Sequence, residues 1–195
     1  MTIDETKTTS FPCIITVILR ELRVGRGIHQ AVLSDHCNKP SSFWQNVEEG
    51  KTKLDLDNLL RVCRMLDALP SEIITTAERY RWALEAQGWC VLLSDIGTAD
   101  ALMKLAHRYW DSPGCRFWDT SAWVGRNILN TPWFVDNGYA KGWVGLTGVF
   151  QYAIDETFRS QQDDAENFKP VPSIFDQAQA WQGAPNSSTD SNGTA

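Results

Sequence analysis

No apolar run in the 195-residue chain approaches the eighteen or so residues that a membrane-spanning helix requires. The first ten residues, MTIDETKTTS, are polar and acidic and lack the apolar stretch of a secretory signal. There is no CxxC pair. The five cysteines, at 13, 37, 63, 90 and 115, are scattered and odd in number, which points to free thiols in a reducing cytoplasm. His107, Cys90 and Cys115 match no zinc-ligand spacing, so no metal is expected. Excess positive charge is missing as well: 18 Lys and Arg stand against 24 Asp and Glu, a net of −6. Nothing resembles a nucleophile with its base or a pair of metal carboxylates. The one glycine-rich run, Gly142 to Gly148, lacks the Lys-Ser/Thr end of a phosphate loop. The sequence therefore predicts neither an enzyme nor a cofactor.

What is there centres on Arg26 to Gly50, RGIHQAVLSDHCNKPSSFWQNVEEG. Gln30 to Asp35 reads as a short helix anchored by Leu33. His36 to Lys39 is a break, because Asn38 tolerates a left-handed turn. Pro40 suits a helical first turn, and Ser41 to Val47 reads as a second short helix. Trp44 and Val47, three apart, share its inward face. Ser41, Ser42, Gln45 and Asn46 share its outward face. Two short helices joined by a tight turn form a helix-turn-helix. The outward face offers small hydroxyl and amide groups of the kind that read base edges in a major groove. Phe43, beside Ser42, either touches a thymine methyl or shields the Trp44 packing.

These residues carry a resemblance. From about Leu19 to Ile74 the chain resembles, without a gap, the helix-turn-helix domain of the lambda Cro and repressor family, also called the xenobiotic response element family. Arg26, Gly27, Ile28 and Gln30 match the close of its first helix and the start of its second. Leu33 matches its buried anchor, and Val47, Glu48, Gly50 and Lys51 the close of its third helix. Leu56, Leu59, Leu60, Cys63 and Leu66 match the fourth, and Pro70 to Ile74 the start of the fifth. His29 replaces a Ser or Thr, Asn38 a turn Gly and Cys37 a Leu. Lys39 and Trp44 stand where the family buries aliphatic residues, so the packing beneath the second short helix must be rearranged. The resemblance implies that Gln30 contacts a DNA phosphate.

Charge limits how such a domain binds DNA. Residues 1–80 hold ten basic against eleven acidic side chains, so bulk attraction to the duplex is unavailable. Lys39, Lys51 and Lys53, flanking the second short helix, are the backbone-contact candidates beside Gln30, with Arg26 and Lys7 further off. Weak affinity per half-site then calls for a homodimer.

Elsewhere, residues 1–10 are expected to be disordered. Residues 12–25 read as a first helix with Ile15, Ile18, Leu19 and Leu22 as its stripe. Asp55 is expected to cap a helix through Leu66, and Pro70 opens one running toward residue 86. Seven of the nine Trp then fall between 82 and 143. Thr98 is placed as the cap of a helix ending at Trp110, Asp111 to Gly114 as a turn, and Thr120 or Ser121 as the cap of a helix ending at Leu129. A hairpin is expected around Asp136-Asn137-Gly138, and one helix over Leu146 to Phe158. Residues 169–195 read as a flexible polar tail.

The predicted fold class is mainly α. A five-helix helix-turn-helix domain spans 11–80, and a Trp-rich, mostly helical domain spans 81–168. The Trp-rich half offers a dimer interface, a monomer core or a ligand pocket, with core and dimer interface favoured. The functional expectation is a sequence-specific DNA-binding transcriptional regulator, cytoplasmic and nucleoid-associated, acting on double-stranded DNA as a homodimer. The alternative is an antitoxin-like protein whose residues 81–168 bind a protein partner. A third possibility is a DNA-binding adaptor outside transcription.

Overall fold

The computed structural model describes residues 5–120, 128–137, 141–164 and 166, and is mainly helical. Helix α1, Phe11–Gly25, starts where Ser10 accepts the Cys13 N–H and Pro12 fits the first turn. The predicted stripe is buried, and so are Ile14 and Val17 between its members. Residues 13–19 are buried on every side of the helix, and α1 packs against both α5 (Pro70–Ala86) and α6 (Ala101–Asp111).

Between α1 and α5 lie α2 (Gln30–His36), α3 (Phe43–Glu48) and α4 (Leu56–Met65). Asn38 takes the expected left-handed conformation, φ 55°, in the α2–α3 turn. Helix α3 begins two residues later than predicted, because Ser41 and Ser42 belong to a turn closed by the Phe43 N–H on Pro40 O, 2.8 Å. In α4 Asp55 caps through the Asn58 N–H as anticipated. Its inward face differs, however: Leu56 and Leu60 are exposed, while Asn58, Leu59, Val62 and Cys63 are buried.

Residues 5–10, expected to be disordered, form a helical turn and a strand, β1 (Thr8–Ser10). This strand pairs in parallel with β2 (Cys90–Leu92). Helix α6 is capped by Asp100 rather than Thr98. Ser112 alone separates α6 from α7 (Pro113–Thr120), so the predicted turn at 111–114 shrinks to one residue. The helix placed at 120–129 falls largely on residues 121–127, outside the described residues, and Ile128–Asn130 is a 3-10 turn. The predicted hairpin is present as β3 (Trp133–Asp136) and β4 (Lys141–Val144), with Phe134 opposite Trp143. Helix α8 (Gly148–Ile154) packs so closely on α6 that a Cβ on Gly148 would fall on the Tyr109 hydroxyl. Asp155 ends α8 and caps α9 (Glu156–Asp163), splitting the single helix anticipated there. The tail 169–195 lies outside the described residues.

Ile14, Trp44 and Ile73 belong to the same buried cluster as Leu102, Phe150 and Tyr152. One core spans both halves, and α5 runs through it without a break.

Candidate nucleic-acid interface

The α2–α3 turn is tied down by Ser34, which is fully buried. Its Oγ accepts the Trp44 N–H at 2.9 Å and lies 3.1 Å from Ser41 O and 3.2 Å from Gln30 O, to which its hydrogen is donated. A hydroxyl at this spot replaces backbone bonds that neither short helix can make for itself. Trp44 and Val47 point inward, 0% and 1% exposed, and close the underside of α3. Ser41, Ser42 and Gln45 are exposed and Asn46 is half-buried, so all four expected base readers share the outer side. Phe43 is half-buried, its ring 6.5 Å from that of Trp44 and 5.8 Å from the Lys39 ammonium.

Beneath this face sits Glu48, a buried carboxylate. Its Oε1 accepts from Arg23 Nε at 2.6 Å and from Trp44 Nε1 at 2.7 Å. Its Oε2 accepts from Arg23 Nη2 at 2.9 Å, Gln30 Nε2 at 2.5 Å and Arg20 Nη1 at 3.2 Å. Five donors from α1, α2 and α3 thus converge on one side chain. Two guanidinium groups compensate its charge, which is what makes a buried carboxylate tolerable. Its partners Arg20 and Arg23 lie some 25 residues upstream, and nothing in the local sequence announces them. Glu48 was visible only as part of the family-like close of α3.

The same cluster joins α3 to α6. His107 Nε2 lies 3.1 Å from Glu48 O. Arg20 stacks over the Trp110 ring at 3.7 Å, and Trp110 Nε1 donates to Glu21 at 2.7 Å. Gly50, in a left-handed conformation after α3, brings its backbone against that of Gly97. His107 therefore serves as a strut rather than joining Cys90 and Cys115, and no metal-holding cluster occurs among the described residues.

The backbone-contact candidates are placed unevenly. Lys39 and Lys53 are exposed. Lys51 is exposed too, but its ammonium lies 2.5 Å from Glu49. Gln45 also donates to Glu49, at 2.8 Å, and together these contacts, Lys51 first, hold the Glu49 carboxyl below its ordinary range. Gln30, implied as a phosphate contact, has its amide nitrogen turned inward to Glu48. Arg26 reaches only Asp67 O, at 3.5 Å, and lies beside α3 in neither sequence nor hydrogen bonding. No described helix is long and apolar enough to cross a membrane. Compared with known proteins, the chain matches no family model, no curated protein and no solved structure.

Proposed function

We propose that the chain is a sequence-specific DNA-binding transcriptional regulator in which α2 and α3 act as a helix-turn-helix and α3 enters the major groove. The observation that carries this reading is the two-sidedness of α3. Trp44, Val47 and Glu48 are buried on one side, and Gln45 and Asn46, with Ser41 and Ser42 of the preceding turn, stand on the other. A helix backed by five convergent hydrogen bonds presents that polar side rigidly, as base reading requires. Ser41, Ser42, Gln45 and Asn46 read bases; Lys39, Lys53 and Lys51 hold phosphates. Lys51 exchanges Glu49 for a phosphate on binding, and Gln30 contributes through Glu48 by positioning α3. Two copies then address half-sites one helical turn, about 34 Å, apart.

The test is selection of full-length protein on a pool of randomised duplexes at low salt. The expected outcome is an enriched two-fold-symmetric site. Asn46→Ala then costs about 1–3 kcal/mol at one base-pair position, and Lys53→Ala weakens all sequences alike and lowers the salt slope by about one. A pool that shows no enrichment rejects the reading. A second reading, the antitoxin-like one, has its own observation: Trp133, Phe134 and Val144 leave the β3–β4 hairpin apolar and exposed. Such a surface suits a protein partner, and enrichment failing while a protein partner is captured on wild type but not on Trp133→Ser favours it.

A further inference from the structure

Where Lys7, Trp89, α6 and α9 meet, a cleft of about 430 Å³ opens at the surface. That volume lies in the range of small-molecule sites. Its apolar wall includes Trp89 and Leu105, and its polar wall includes Lys7, Lys104, Arg159 and Glu156. Three cations against one carboxylate is a local reversal of sign in a chain of net charge −6. None of the three cations is in an ion pair with a described side chain. Arg159 is held in place on this wall by donating from Nε to Tyr152 O at 2.9 Å and from Nη2 to Ala153 O at 2.8 Å.

A second observation is independent of charge. Trp89 is 5% exposed, and its indole N–H has no hydrogen-bond partner among the described residues. Buried donors are nearly always paired, and leaving one unpaired is costly. Trp89 lines the cleft, so a ligand acceptor that reached this donor would relieve that cost.

We infer that this cleft binds a small organic anion. Its acidic head lies among Lys7, Lys104 and Arg159, and its apolar body lies against Trp89 and Leu105. The site shares no residue with the outer face of α3, so it stands whether or not the chain reads DNA. It does sit on the helix that backs α3. Lys104 precedes His107, which holds Glu48 O, by three residues of α6.

The probe is 8-anilinonaphthalene-1-sulfonate, an apolar anion, titrated into the full chain and followed by its fluorescence. One saturable site per chain is expected, with a dissociation constant on the order of 10 μM. The double change Lys7→Glu/Lys104→Glu raises that constant at least tenfold, and Trp89→Phe raises it severalfold. A charge-matched double change outside the cleft, Arg116→Glu/Lys141→Glu, leaves it unaltered. If the first double variant melts below the parent, the single change Lys104→Glu carries the comparison. Displacement by phenylacetate or by phenyl phosphate distinguishes a carboxylate head from a phosphate one. Equal binding by the cleft and control variants, or no displacement by either competitor at millimolar concentration, overturns the inference.

Discussion

Trp44 fills two roles that can be separated by substitution. Its ring fills the underside of α3, and its Nε1 donates to Glu48 at 2.7 Å. Trp44→Ala removes both, and the cavity alone costs about 3–5 kcal/mol. Trp44→Phe keeps most of the volume but removes the donor, and costs about 1.5–3 kcal/mol. Thermal or urea melting of the full chain checks both; an alanine variant that melts like the parent places Trp44 outside the core. Among the thiols, burial pushes Cys63 up to about 11 and Cys13 higher than its ordinary value, the latter with help from Asp100. A thiol whose folded pKa lies above its unfolded value of about 8.5 favours the fold at lower pH, and that contribution is lost as pH rises toward 11. Urea midpoints measured from pH 7 to 10.5 should fall, and Cys63→Ala should flatten the fall; an unchanged slope rejects the assignment. Of this site, the burial of Trp44 was legible from its three-residue spacing to Val47. The roles of Ser34 and Glu48 were not, because they depend on partners in other helices, and the inward turn of Gln30 follows from Glu48.

At the scale of elements, Asp100 is the second convergent carboxylate. It accepts from Thr9 Oγ1 and Ser10 N at 2.8 Å and from Ser10 Oγ at 3.0 Å, and it caps α6 through Leu102 N at 3.0 Å and Met103 N at 3.3 Å. One side chain therefore starts α6 and anchors β1, whose last residue starts α1. Asp100→Ala removes a cap and leaves buried donors unpaired, a loss of about 2–4 kcal/mol. The expected signature in hydrogen exchange is faster exchange at residues 8–13 and 101–104 together; exchange confined to α6 rejects the shared anchor. Helices α1, α4 and α5 were legible from apolar spacing, the Asp55 cap and Pro70. Strand β1 was not, since Thr-Thr-Ser shows no apolar alternation and its partner lies some eighty residues away. The exposure of Leu56 and Leu60 escaped sequence reading because apolar spacing alone does not say which flank of a helix meets the core. Asp155, which stops α8 and starts α9, was concealed by apolar spacing that continues across it.

For the whole molecule, the composition change near residue 80 suggested two domains, yet burial crosses it. Leu19 and Trp44 share a core with Leu102 and Phe150, and α1 touches α6 as well as α5. A fragment of residues 1–86 therefore lacks β2 beside β1, the Trp110 ring under Arg20, the His107 partner of Glu48 O and the Gly97 backbone beside Gly50. It should show partial helicity and no cooperative melt, whereas the full chain melts in one transition. A sharp transition in the fragment near the parent's midpoint rejects the shared core. The parallel pairing of β1 with β2 also bears on the order of events during synthesis. Helix α1 leaves the ribosome before α6, yet its start depends on Ser10, and Ser10 is secured by a carboxylate ninety residues later. The nascent N-terminal half therefore waits, incompletely anchored, until α6 has been translated, and completing the fold requires closing a long loop rather than extending a local one.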